Sequence, residues 1–191
     1  MRGRLAFTIA CLALLVYAAP AEAAEGPTRR TWPSYWTGNQ GPHPTCVAYA
    51  WLTLLTTEPF GLAEPPMRPS ELFETMQRDD GGYEPGTTLD AGARALEADG
   101  YIGGWRWAAS FDEVVAWVLG AGPVVVVSPT PWSEERHAYV IDGVNLRRGT
   151  VRIHNDRGVR WGRNGRRTYL ITEIEQLYVD GAGNAILAWV P

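Results

Sequence analysis

The sequence predicts an α+β fold, and three observations carry the prediction. Between residues 46 and 120, apolar residues recur at helical spacing in segments broken by Gly- and Pro-containing turns. From Pro123 onward, β-branched runs bounded by turn residues take over. The change of character happens once along the chain. A helical N-terminal half followed by an antiparallel sheet or small barrel therefore fits better than an alternating parallel architecture.

The elements follow in order. Residues 25–37 contain Pro and Trp without a period and read as an extended surface segment. A first helix is expected from Cys46 to about Thr57, with Val47, Ala50, Trp51, Leu54 and Leu55 as its buried stripe. Four prolines make 59–69 a loop, and Ser70 is placed to cap a short helix over 71–78. A turn over 81–86 leads to a third helix over 88–98, stopped at Gly100. Ser110 and Glu113 form a capping box for a fourth helix ending at Gly120. Strands are expected over 123–128, 137–144, 150–155, 166–171 and 185–190. A loop is expected over 129–136, a turn over 145–149, and a short helix capped by Thr172 and Glu175. The chain has no internal repeat, low-complexity tract or phosphate-binding glycine motif.

Residues 1–24 read as a secretory signal, leaving 25–191 as one domain. Arg2 and Arg4 precede an apolar run over 5–19, and Ala21-Glu22-Ala23 is a small-x-small cleavage site. No later stretch is long and apolar enough to span a bilayer. The expected location is secreted or periplasmic, with no stable membrane insertion once the signal is removed. Cys11 leaves with the signal, so Cys46 is the one remaining thiol and no internal disulfide can form. All 17 basic residues are arginine, which together with the many alanines suggests a GC-rich bacterial gene. Residues 24–191 hold 15 basic and 20 acidic side chains, a net charge of −5, which argues against a nucleic-acid partner. Eight arginines between 147 and 167 lie on strand and turn positions, without aromatic interleaving of the single-strand-binding kind, and read as a solvated sheet face.

The chemistry centres on residues 38–51. A Gly/Pro-broken loop runs into the first helix, with Cys46 at the junction and Gln40 six residues earlier. A cysteine at a helix N-terminus meets the positive end of the dipole and unpaired N–H groups, both of which favour thiolate. A nearby glutamine can offer an amide N–H to an oxyanion. The missing base is one of three histidines. His137 opens a strand, His43 shares the cysteine loop, and His154 lies in the strand over 150–155. Alternation puts Val151, Ile153 and Asn155 on one strand face and Arg152 and His154 on the other. Asn155 thus stands at the strand end, placed for a hydrogen bond at the edge of the core. A zinc site from His43, Cys46, His137 and His154 would have one sulfur and irregular spacing, so neither metal nor cofactor is expected.

These residues resemble the papain-like cysteine peptidases in three blocks. Gln40 and Cys46 have the spacing of the family's oxyanion-hole glutamine and nucleophile. His137-Ala138-Tyr139-Val140-Ile141-Asp142-Gly143-Val144 is similar to the strand headed by the catalytic histidine. Residues 155–165 match the pattern Asn-Ser-Trp-Gly-x-x-Trp-Gly-x-x-Gly at Asn155, Gly158, Trp161, Gly162 and Gly165. The resemblance implies a peptide or protein substrate, Cys46 as nucleophile, His137 as its ion-pair partner and proton donor, Asn155 as orienter, and Gln40 with the Cys46 N–H at the oxyanion. It implies a shortened member, because His137 follows Cys46 by only 91 residues, and one without an inhibitory propeptide, because only about 15 residues separate the expected signal from Gln40. His43, Pro44 and Val47 depart from the nucleophile signature. Arg157 stands where the pattern has a shielding tryptophan, which predicts a wetter His–Asn hydrogen bond. A cell-wall amidase or transpeptidase with a Cys-His site, and an inactive peptide- or partner-binding module, are the alternatives. Oligomeric state is not legible.

Overall fold

The computed structural model describes residues 26–82 and 86–191, the Glu134 side chain excepted. The expected signal over 1–24 and part of the turn over 81–86 lie outside the described residues. Within them, strand β3 (Val124–Thr130) explains the unbroken valine run. Val125 and Val127 face one hydrophobic cluster and Val124 and Val126 another, so both faces of the strand are covered. A strand sandwiched in this way shows a continuous apolar run instead of alternation.

Among the described residues the sheet has seven antiparallel strands. Six lie in the order β2 (Gly104–Trp107), β7 (Asn184–Trp189), β3, β4 (Ser133–Asn145), β5 (Thr150–His154) and β6 (Arg166–Leu170). The seventh, β1 (Arg29–Thr31), pairs with the far end of β4, Arg29 opposite Asn145. Helices α1 (Cys46–Leu55), α2 (Pro69–Asp79) and α3 (Leu89–Ala98) pack on one face, against Val125, Ala138, Val140 and Ile186. Helices α4 (Phe111–Gly120) and α5 (Ile171–Asp180) pack on the other, with Tyr139, Ile141, Val151 and Ile153. The N-terminal half is helical and the C-terminal half a sheet, as the pattern predicts.

Helix α1 is buried almost all round. Ala48, Leu52 and Thr53 join the expected stripe in the interior, which marks a central helix and not an amphipathic surface one. Trp51 fixes it to α3 by donating Nε1–H to the Leu89 carbonyl at 3.0 Å. Gly92 of α3 lies directly on the Trp51 ring, where a Cβ would collide with the indole.

Several local expectations are corrected. Helix α2 starts at Pro69, whose fixed φ suits a first helical position, and its N-cap is Arg68, not Ser70. Glu71 closes that end by accepting from the Arg68 N–H at 2.9 Å and from its guanidinium. Helix α5 starts at Ile171 with Leu170 as N-cap and no side-chain cap from Thr172. The stretch 129–136 is mostly hairpin, since β3 and β4 pair as far as Thr130 and Ser133. His137 therefore lies within β4, opposite Ser128, and not at its start. Strand β1 falls in the segment expected to be extended along the surface, and β2 lies between the third and fourth helices, where no strand is expected. Two of the arginines read as solvated, Arg152 and Arg166, converge on the fully buried Asp142 with contacts of 2.6 and 3.1 Å.

Candidate active site

Cys46 is the first residue of α1 and is partly exposed. The loop before it is pinned from two sides. Gly38 packs on the stacked rings of Trp36 and Tyr49, 5.8 Å apart, where any side chain would collide. On the other side the loop is paired with the turn after β5. Gly158 N–H donates to the Gly38 carbonyl and Gln40 N–H to the Asp156 carbonyl, each at 2.9 Å, with a bridge between Asn39 and Arg157. The segment carrying Gln40 and Cys46 is thereby joined to the segment carrying Asn155 and Asp156.

The Gln40 side chain donates one N–H to the His43 carbonyl at 3.0 Å. An amide nitrogen has two N–H groups, so a second remains for another acceptor. His43 itself supplies only this carbonyl among the contacts around Gln40.

His137 Nε2 lies 2.8 Å from Asn155 Oδ1 and 3.1 Å from Asp156 Oδ1. The Asp156 N–H also donates to Asn155 Oδ1, at 2.9 Å, which fixes the orientation of that amide. Both partners of Nε2 are acceptors, so Nε2 carries a proton and Nδ1 is left for other work. The Cys46 side chain also faces the ring, close enough to act on its charge. Burial opposes charging of this imidazole, but the Asp156 carboxylate and Cys46 outweigh it and push the His137 pKa up to about 10. The ring is thus held as imidazolium across the neutral range.

The site is dry at its base. His137 is 7%, Asn155 1% and Asp156 2% exposed, so the wetter hydrogen bond expected from Arg157 is not found. The cover comes from a residue the sequence did not single out. Trp132, in the β3–β4 hairpin, sets its ring edge-on to His137 at 6.4 Å and to Trp161 at 5.0 Å. Trp132, packed against Trp161 of the 155–165 block, thus stands beside the ring although residue 157 is an arginine. Asp156 was missed as well, because nothing in its local pattern distinguishes it from a turn residue.

His154 is not brought to Cys46. It is 1% exposed and its Nε2 lies 3.0 Å from Thr37 Oγ1. Burial, then Arg166 and Arg152, hold its pKa far below the ordinary imidazole value, so it is neutral. Among the described residues no group of three or more His, Cys, Asp or Glu side chains could hold a metal ion. No helix among them is long and apolar enough to cross a membrane.

A cavity of about 520 Å³ borders the cysteine loop, lined by Gln40, Pro44, Thr45, Tyr49 and Phe73 among others. Another, of about 530 Å³, lies by Arg152 and Arg166 and includes none of Gln40, Cys46, His137 or Asn155 in its lining.

No protein-family model matches the sequence, and no curated protein does. Solved structures do match the fold. Xylellain, a cysteine protease from Xylella fastidiosa, is 15% identical over 88% of each chain, with a TM-score of 0.67. The bromelain protease from Ananas comosus, solved with an inhibitor bound, is 14% identical over 86% of this chain and all of its own, with a TM-score of 0.66. A ragweed pollen cysteine protease in its proform is 15% identical over 90% of this chain and 67% of its own, with a TM-score of 0.67. The chain has the papain-like cysteine peptidase fold.

Proposed function

We propose that this chain, built on the papain-like fold, is a cysteine peptidase that cleaves peptide or protein substrates through Cys46. The observation that supports this most is the line from Cys46 at the α1 N-terminus to a charged His137 ring, backed by Asn155 and Asp156. The Cys46 sulfur attacks the scissile carbonyl carbon, and the carbonyl electron pair moves onto oxygen. The free N–H of Gln40 and the backbone N–H of Cys46 stabilise that oxyanion. His137 then gives its Nδ1 proton to the leaving amine as the C–N bond breaks, leaving a thioester. Water attacks the thioester while Nδ1 takes its proton, and collapse releases the acid and Cys46. Asn155 keeps the ring aimed throughout by accepting from Nε2.

In this reading, residues 1–24 are a signal removed on export, and 25–191 act in a secreted or periplasmic setting. N-terminal sequencing of exported protein should begin at Ala24 or Glu25. The activity test is hydrolysis of a mixed peptide library by the folded protein and by Cys46→Ala, read by mass spectrometry. Cleavage that depends on Cys46 is expected. Binding of peptides without cleavage by the intact protein would favour the inactive-module alternative instead.

A further inference from the structure

We propose that Asp156 is the buried counter-ion of the base, a positioning residue whose carboxylate neutralises the His137 imidazolium while its own carbonyl holds the Gln40 loop in place. The inference rests on the peptidase reading for its consequence, though not for its geometry.

The carboxylate is 2% exposed, and its one side-chain partner is His137, through Oδ1 at 3.1 Å. Oδ2 is buried without a hydrogen bond. An ionised carboxyl in such a place costs several kcal/mol unless a cation faces it. No arginine does so. Arg136, next to His137 in sequence, is turned to the Gly181 and Ala182 carbonyls, and Arg157 is exposed. The titratable groups facing the His137 ring are Asp156 from the turn after β5 and Cys46 from α1. Tyr49, also on α1, feels the Asp156 charge through space. Trp132 brings only a ring edge. His137 is thus the cation that Asp156 needs, and Asp156 is the fixed anion that His137 needs when the thiolate is consumed.

Asn155 cannot do this. A neutral amide oxygen orients the Nε2–H, but it does not offset a full charge. The two neighbours therefore divide the work, Asn155 setting direction and Asp156 setting charge. In the tetrahedral intermediate the sulfur no longer carries a charge, and Asp156 remains beside the imidazolium until the leaving amine takes its proton. The main chain adds a second link, because the Asp156 carbonyl accepts the Gln40 N–H at 2.9 Å. One residue thereby touches both the base and the loop that carries the oxyanion donor.

The test is titration of the His137 ring by NMR on protein with isotope-labelled histidine. It is run in Cys46→Ala, where the thiolate cannot contribute, and in Cys46→Ala with Asp156→Asn. His43→Ala assists assignment. With Asp156 present, the ring should stay protonated well above the ordinary value of 6.5. Asp156→Asn keeps shape and an acceptor but removes the charge, and should lower the midpoint by about 1–3 pH units. The alkaline limb of kcat/KM in the Asp156→Asn enzyme should fall by a similar amount. Equal midpoints with and without the carboxylate would overturn the proposal, as would a midpoint near 6.5 in Cys46→Ala alone. The latter result needs no Asp156 variant to fold. The titration uses no substrate, so a normal shift in a protein with no peptidase activity would refute the peptidase reading and leave the counter-ion standing.

Discussion

Two buried histidines on the same sheet, each near an aspartate, end in opposite charge states. His137 on β4 faces Asp156, whose side chain has no other partner, and its pKa is pushed up to about 10. His154 at the end of β5 approaches Asp142 no closer than 3.9 Å. Both oxygens of Asp142 are occupied, one by Arg152 at 2.6 Å and the other by Arg166 at 3.1 Å. Burial does most to keep the His154 ring uncharged, and the two guanidiniums that take the carboxylate also repel a proton on it. Burial alone therefore does not decide the charge of a histidine. The availability of the nearest carboxylate does, and only one of these two rings is suited to proton transfer.

The largest expected contrast is catalytic. His137→Ala should lower kcat by about 10⁴-fold or more, close to Cys46→Ala, because the proton donor and the thiolate's partner go together. His154→Ala should instead lose stability, about 1–3 kcal/mol in urea unfolding, with kcat per folded molecule near that of the parent. If the two variants exchanged these phenotypes, the assignment of the base would be wrong. Gln40→Ala comes next. It removes one oxyanion donor while the Cys46 N–H remains, at an expected cost of about 100- to 1000-fold in kcat. A rise in KM with kcat unchanged would assign Gln40 to ground-state binding.

Asp142→Ala probes the other half of the comparison. It strands two guanidiniums that keep some contact with water, so a loss of about 3 kcal/mol is expected, the low end for a broken buried pair. The pH dependence gives a subtler contrast, of opposite sign at the two rings. His137 has a raised pKa in the fold, so its contribution to stability is full below 6.5 and is lost as pH rises through about 10. His154 has a lowered one, so its contribution is full above the unfolded value and is lost as pH falls, when the unfolded imidazole takes a proton that the folded one refuses. Unfolding free energy measured from pH 7 to 4 should fall less steeply in His154→Gln than in the parent. Parallel curves would mean that His154 charges in place. The smallest effect is expected at His43, whose carbonyl, not its ring, serves Gln40. His43→Ala should leave kcat within about twofold.

What the sequence discloses follows from how local each signal is. The switch from helical period to β-branched runs is a property of windows of ten residues or so, and it located the two halves. β1 and β2 are three and four residues long and owe their existence to pairing with β4 and β7, which no local window contains. Alternation along β5 correctly separated His154 from Ile153, yet alternation says nothing about what covers a face. Here Thr37 and the Asp142–arginine cluster cover it. At the site, Gln40, Cys46, His137 and Asn155 stood out by motif and spacing. Asp156 and Trp132 did not, because their roles depend on contacts with His137 across 19 and 5 residues of sequence.

The most direct measurement of the central claim is labelling of the folded protein by a thiol-directed electrophile, with the adduct located by mass spectrometry. The parent and His137→Ala would be followed from pH 5 to 9. A charged ring against the sulfur predicts a single adduct at Cys46 that forms readily at pH 6 in the parent and much more slowly in His137→Ala. A parent whose rate matches His137→Ala at every pH, and climbs only with an ordinary thiol midpoint of about 8.5, would contradict it.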